Sequence, residues 1–128
     1  MEHNKTDHPD QITTEDFRAT KSEADIKREI YQFLLLHGIF CWIQNQGGYA
    51  GEYKGKKRFI HFTRGVKGVS DILGCLPDGR FLAIEVKAAK GKLSVDQEKF
   101  LRKIHCMGGT AFVAHGITDV EEYLKTYW

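Results

Sequence analysis

Residues 70–88 read SDILGCLPDGRFLAIEVKA. Two strand-like runs, 70–76 and 81–88, flank PDGR at 77–80, whose Pro and Gly suit a tight turn. The spacing predicts a β-hairpin. Side chains on a strand alternate faces, so Leu82, Ile84 and Val86 share one face and read as core. Glu85 and Lys87 share the other. A Glu and a Lys two residues apart usually mark a solvated strand face. Asp71 counts against that here, because it starts the partner strand and can sit near Glu85. Ile72, Leu73 and Leu76 make this strand an apolar, largely buried one. A buried carboxylate needs a cation or hydrogen bonds, and two close together repel unless a divalent metal binds both. Hard oxygen ligands of this kind suit Mg²⁺ or Mn²⁺. A lysine beside such a metal can stabilise charge on a phosphate or orient an attacking water.

Upstream, Ile26, Ile30, Phe33 and Leu34 form one apolar stripe and predict a helix over about 21–37, stopped by Gly38. Thr20 and Glu23 have capping-box spacing. IFCWIQ (39–44) reads as a strand. Residues 45–56, with four glycines, read as a flexible loop, and KRFIHF (57–62) as a short strand. Downstream, a helix is predicted over about 94–107 with the stripe Phe100, Leu101, Ile104 and Met107. TAFVAH (110–115) is a strand, and TDVEEYLKTYW closes with a helix whose Thr118 and Glu121 again have capping-box spacing. The order predicts an α/β domain over 21–128, a mixed sheet flanked by helices. Residues 1–20 are polar and aperiodic and read as a flexible acidic tail.

The chain has 128 residues, 41% hydrophobic and 28% charged, enough for one domain with its own core. It has no apolar run long enough for a membrane span and no signal peptide at MEHNKTDHPDQ, so a cytoplasmic protein is expected. Cys41, Cys75 and Cys106 lack metal or redox spacing and read as reduced core residues. Trp42 and Trp128 read as packing residues, His61 and His115 as structural ones. The net charge of +2 hides an asymmetry: residues 1–25 are net −4 and residues 51–70 net +5. Lys54, Lys56, Lys57, Arg58, Arg64 and Lys67 supply the positive segment, interleaved with Phe59 and Phe62. A solubilising hairpin is the ordinary meaning of such a run. Because this one leads directly to Asp71, it reads as a surface for a nucleic-acid backbone.

Asp71, a hairpin, then Glu85-Val86-Lys87 resembles the PD-(D/E)XK nuclease core. The longer string GVSDILGCLPDGRFLAIEVKAAKGKLSVDQEKFLRKIHCMGGTAFVA resembles the VRR-NUC family, the virus-type replication-repair nucleases. The shared features are the Gly before the Asp, the turn Gly, EVK, GKLS, a Gln in the next helix and Gly-Gly before the last strand. Upstream, IQNQGG resembles the family's strand end and glycine loop. Ser70 departs from the proline of the motif's name, at a position that is not a ligand. The resemblance implies a restriction-endonuclease-like core and Mg²⁺- or Mn²⁺-dependent hydrolysis of DNA. It implies that Asp71, Glu85 and the backbone carbonyl of Val86 bind metal, and that Lys87 positions water or stabilises charge. Gln97 matches an active-site glutamine, although Ser94 and Gln97 also have capping-box spacing. Glu23 matches a glutamate that approaches the metal, directly or through water; Glu29 is its rival on another face of the helix. A domain of this size resembles phage and bacterial members linked to Holliday junctions. That implies branched DNA, a homodimer, and the cytoplasm of a bacterium or a phage-infected host. A flap or fork nuclease, or an inactive nucleic-acid-binding module, are the alternatives.

Overall fold

A computed structural model describes residues 21–44 and 47–128. The expected acidic tail, 1–20, and Asn45-Gln46 of the glycine-loop motif lie outside the described residues. In chain order the elements are α1 (Glu23–Leu36), β1 (Phe40–Ile43), β2 (Gly48–Tyr53), β3 (Lys56–His61), β4 (Ile72–Cys75), β5 (Phe81–Val86), α2 (Val95–Cys106), β6 (Thr110–Ala114), α3 (Ile117–Leu124) and a 3-10 turn at Lys125–Tyr127.

The main sheet has the order β1-β4-β5-β6. The turn at 77–80 makes β4 and β5 antiparallel, with Ile72 opposite Ile84 and Cys75 opposite Phe81. β6 runs parallel to β5, as the crossover through α2 requires. The sheet is therefore mixed, as expected. One face carries Ile72, Leu82, Ile84, Val86, Phe112 and Ala114, and packs against Ile26, Ile30 and Leu34 of α1 and Val120 and Leu124 of α3. This is the main core, where each buried Leu or Ile contributes roughly 1.5–3 kcal/mol. The other face carries Leu73 and Ala83, covered by Leu101, Phe100 and Ile104 of α2. Met107 of the expected α2 stripe is instead 80% exposed, because it follows the helix as its C-cap.

Several local expectations are corrected. α1 is capped by Ser22: its Oγ accepts from the Asp25 N–H at 3.1 Å, and Asp25 Oδ2 accepts from the Ser22 N–H at 3.5 Å. The expected box of Thr20 and Glu23 involves Thr20, which lies outside the described residues; the helix begins at Glu23 and its N3 position is Asp25. α3 is capped at Gly116 with no capping side chain, so Thr118 and Glu121 do not form a box. There, Asp119 accepts from the His115 N–H at 2.8 Å. Residues 48–53 of the expected flexible loop form a strand, paired with β3 from Gly48–His61 to Tyr53–Lys56. Its turn is Lys54-Gly55, both at positive φ (53° and 77°), the conformation of a two-residue hairpin turn. Of the cysteines, Cys41 is buried while Cys75 and Cys106 are exposed; burial pushes the Cys41 thiol up to about 11. Trp128 packs its ring against Phe33 and His37, at 5.7 and 4.5 Å. Trp42, 39% exposed, meets Phe40 at 5.9 Å.

One close approach fixes the loop that delivers Asp71. Gly68, at φ +70°, lies so near α2 that a Cβ there would overlap the Asp96 carbonyl and the Gln97 amide nitrogen. No such obstacle surrounds Gly116, which has extended backbone and open space about its Cβ position. Gly68→Ala should therefore lower stability by about 2 kcal/mol or more, from overlap and a left-handed φ together. Gly116→Ala should cost no more than about 1 kcal/mol, the loss of a favourable N-cap residue alone. Urea unfolding of the two variants measures both.

Candidate active site

Asp71 stands one residue before β4. Its carbonyl accepts from the Gln44 N–H at 2.8 Å, so β1 holds its backbone. The β4–β5 ladder ends at the Ile72–Ile84 pair. Beyond it, the Val86 N–H donates to Asp71 Oδ2 at 2.8 Å. The carboxylate thus caps the end of the hairpin. Its other oxygen, Oδ1, lies 3.9 Å from Lys27 Nζ on α1.

Glu85 lies on the same sheet face as Leu73 and Ala83, beneath the start of α2, and is 2% exposed. Oε2 accepts from Gln97 Nε2 at 3.0 Å and lies 3.8 Å from Lys87 Nζ. Oε1 is buried with no hydrogen-bond partner. Burial above all, then the neighbouring Asp71 carboxylate, pushes the Glu85 carboxyl up to about 8; Lys87 pulls it down and Glu23 adds to the rise. Without a bound cation, burial and the neighbouring carboxylate both favour the protonated form of Glu85, because desolvation and repulsion act against its charged form.

This donor set fits a hard divalent cation. Two acidic side chains face each other, and one buried oxygen lacks any partner. Among the described residues no group of three or more His, Cys, Asp or Glu side chains could hold a metal. Protein ligation would therefore come from two carboxylates and backbone carbonyl oxygen, with water completing the sphere, the usual manner for Mg²⁺.

Gln97 closes the cap of α2 and also reaches the Glu85 carboxylate. Its Oε1 accepts from the Ser94 N–H at 2.9 Å while the Gln97 N–H donates to Ser94 Oγ at 3.1 Å, closing the capping box. Its remaining amide group, Nε2, is the donor to Glu85. The helix cap therefore aims the amide at the carboxylate. Glu23 is exposed at the first turn of α1, within electrostatic reach of Glu85. Glu29 instead receives Lys21 Nζ at 3.0 and 2.9 Å. It lines a cavity of about 560 Å³ whose walls include neither Asp71 nor Glu85.

Lys27 is the residue that sequence reasoning missed. It lies one helical turn after Glu23, so the two share a face, but only the seating of α1 on the sheet brings it to Asp71. Ser70 is also fully buried, with its hydroxyl unpartnered. The basic residues sit elsewhere. Lys54, Lys56, Lys57 and Arg58 are exposed on the β2–β3 hairpin, and Arg64 and Lys67 on the segment joining it to Asp71. His61 is exposed on β3 and His115 is exposed before α3.

The family model of the VRR-NUC domain matches residues 20–118. The match spans α1, the carboxylate pair, Lys87 and Gln97. No curated protein and no solved structure matches the chain.

The buried acid makes the metal-free fold sensitive to pH. The unfolded chain releases the Glu85 proton near the ordinary carboxyl value, about 4.3, whereas the folded protein holds it to about 8. Stability from this group is full below the lower value and is lost as pH rises through the higher one. Glu85→Gln, measured by urea unfolding in chelator, should flatten this fall and leave the variant about 2 kcal/mol or more above wild type at pH 8.5. A second pair of variants separates the roles of Gln97. Ser94→Ala should cost about 1 kcal/mol of stability and leave the Glu85 contact intact. Gln97→Ala should cost a similar amount of stability and also lower nuclease turnover at least about 10-fold.

Proposed function

The chain belongs to the VRR-NUC family and is thus a nuclease of the PD-(D/E)XK type, and from that premise we propose that it is a divalent-metal-dependent, structure-selective DNA endonuclease of the Holliday-junction-resolving kind. The observation that carries the metal dependence is Glu85 Oε1, a buried oxygen with no partner beside a second carboxylate. Asp71 and Glu85, with the Val86 carbonyl, would hold Mg²⁺ or Mn²⁺. When bound, such an ion lowers the pKa of its water and neutralises charge developing on the phosphate.

The chain's own residues do the rest. Lys87 follows Glu85 by two residues on the same strand face, with its side chain 13% exposed. It would orient the attacking water or stabilise the extra negative charge on the phosphodiester. Gln97 fixes Glu85 through the α2 cap, so the carboxylate needs little reorganisation during turnover. Glu23, exposed and within electrostatic reach of Glu85, would approach the metal through water. Lys54, Lys56, Lys57, Arg58, Arg64 and Lys67 would bind the DNA backbone, which makes affinity fall steeply with salt.

The resolvase reading rests on the resemblance to small bacterial and phage members and on symmetry. Resolving a four-way junction takes two cuts, so a homodimer would bring two sites to opposed strands. On this reading the protein would act in the cytoplasm of a bacterium or a phage-infected host. No helix among the described residues is long and apolar enough to cross a membrane.

The test is cleavage of a four-way junction, a flap, a splayed fork and plain duplex, with Mg²⁺ or Mn²⁺. Wild type should cut the junction most rapidly. Asp71→Ala and Lys87→Ala should each cut it about 10³-fold more slowly, or worse. Faster cutting of flaps or forks would overturn the resolvase reading. Equal trace activity in wild type and Asp71→Ala on every substrate would overturn the enzyme and leave a binding module.

A further inference from the structure

The β2–β3 hairpin forms a sheet of its own. Its strands contact each other extensively and no other element to a comparable degree. An isolated two-stranded hairpin has no core to bury side chains in, so its residues are free to serve something other than folding. Even so, it is rich in aromatic rings. Tyr49, Tyr53, Phe59 and, just past its end, Phe62 are all exposed, Phe59 by 60%.

The pairing register sorts these groups by face. Tyr49, Gly51 and Tyr53 lie opposite Ile60, Arg58 and Lys56 on one face. Ala50 and Glu52 lie opposite Phe59 and Lys57 on the other. Each face therefore presents an exposed ring beside basic side chains. Tyr49 and Phe62 are in tilted contact, centres 6.2 Å apart at 38°, and Phe59 and His61 meet edge to face at 5.0 Å, yet Tyr49 and Phe59 remain 45% and 60% exposed. The cations cluster at the hairpin's tip, with Arg58 5.3 Å and Lys54 5.5 Å from the Tyr53 ring centre.

Cations alone would suit any duplex backbone. Exposed rings beside them match a different partner, because a ring can stack on a base only where the base face is open. In paired duplex, base faces are stacked on one another. At a branch point, some are not. The hairpin is also tethered to the carboxylate pair: residues 62–70 run from β3 to Asp71, and Gly68 in that run is lodged against the start of α2.

We propose that each face of the β2–β3 hairpin carries a stacking ring for DNA bases whose faces are open at a branch point, Phe59 on one face and Tyr49 on the other, and that these rings supply the preference for branched over unbranched DNA. The inference rests on the reading of this chain as a DNA nuclease and identifies what its substrate selection would use. The basic side chains hold the backbone on either side, and the rings take up bases displaced from their stack.

Binding without cleavage tests it. Fluorescence anisotropy in chelator compares a forked DNA carrying unpaired bases with a fully paired duplex of equal phosphate count. Wild type should favour the fork. Phe59→Ala/Tyr49→Ala, which alters no charge, should lose about 10-fold on the fork and less than about twofold on the duplex. Phe59→Trp should retain the preference, and matching circular dichroism would show the variants folded. Equal losses on both DNAs, or none, would overturn the proposal. So would a wild-type dimer that becomes a monomer in Phe59→Ala/Tyr49→Ala by sedimentation, since the rings would then join two copies of the chain. Because no divalent ion is present, failure of cleavage in the earlier panel and failure of base stacking are separate results.

Discussion

The carboxylate of Glu85, buried beside Asp71, is the constraint to which the rest of the site answers. An ionised acid in that position is unfavourable twice over, through lost hydration and through like-charge repulsion. The surrounding residues reduce that cost only in part. Gln97 donates to one oxygen and Lys87 lies near it, while the Val86 N–H and Lys27 attend to Asp71. The two lysines balance the formal charge of the two acids. What they leave over is one oxygen with no hydrogen bond. A fold selected only for stability would remove it with a glutamine or an aliphatic side chain. Under the proposed function, a cation bound by both acids would account for its presence, at the expense of stability when the cation is absent.

The sheet makes that arrangement rigid. A period-2 strand puts Leu82, Ile84 and Val86 into the main core and sends Glu85 to the opposite face. A shift of one residue would exchange the two sets. The turn at 77–80 and the Ile72–Ile84 pair prevent that shift, and α2 closes over Glu85 with a cap whose own glutamine is the hydrogen-bond donor. Helix start, loop and candidate site are thus one unit. Gly68 belongs to it as well, because its missing side chain is what lets the loop before Asp71 lie under α2.

The legible part of this molecule was whatever local periodicity controls. The hairpin at 70–88, the crossover helix and the sheet's mixed character follow from alternation, helical stripes and a Pro-Gly turn. So does the pairing of Asp71 with Glu85, because a tight turn fixes register. Three kinds of feature were not legible. Glycines in 47–55 concealed a strand, since they lack the side chains that alternation is read from. The cap of α3 falls at Gly116 rather than Thr118, and α1 is closed by Ser22 and Asp25, because spacing alone does not show where the backbone path enters a helix. Lys27 escaped because a helical lysine reaches a sheet carboxylate only through tertiary placement. Sequence spacing does not encode the seating of α1 on β4 and β5.

Charge follows the same division between local pattern and assembled structure. The basic segment was visible as a run of lysines and arginines. Its separation onto a freestanding aromatic hairpin was not, and that separation turns a diffuse patch into a two-sided surface at a fixed chain distance from the acids. The central claim, that the Asp71–Glu85 pair is a divalent-metal site, is tested most directly by calorimetric titration of Mn²⁺ into the chelator-stripped protein at pH 7.5. Saturable binding in wild type that disappears in the folded Glu85→Gln variant is the predicted result. Equal binding by the two proteins, or none by wild type, would contradict it.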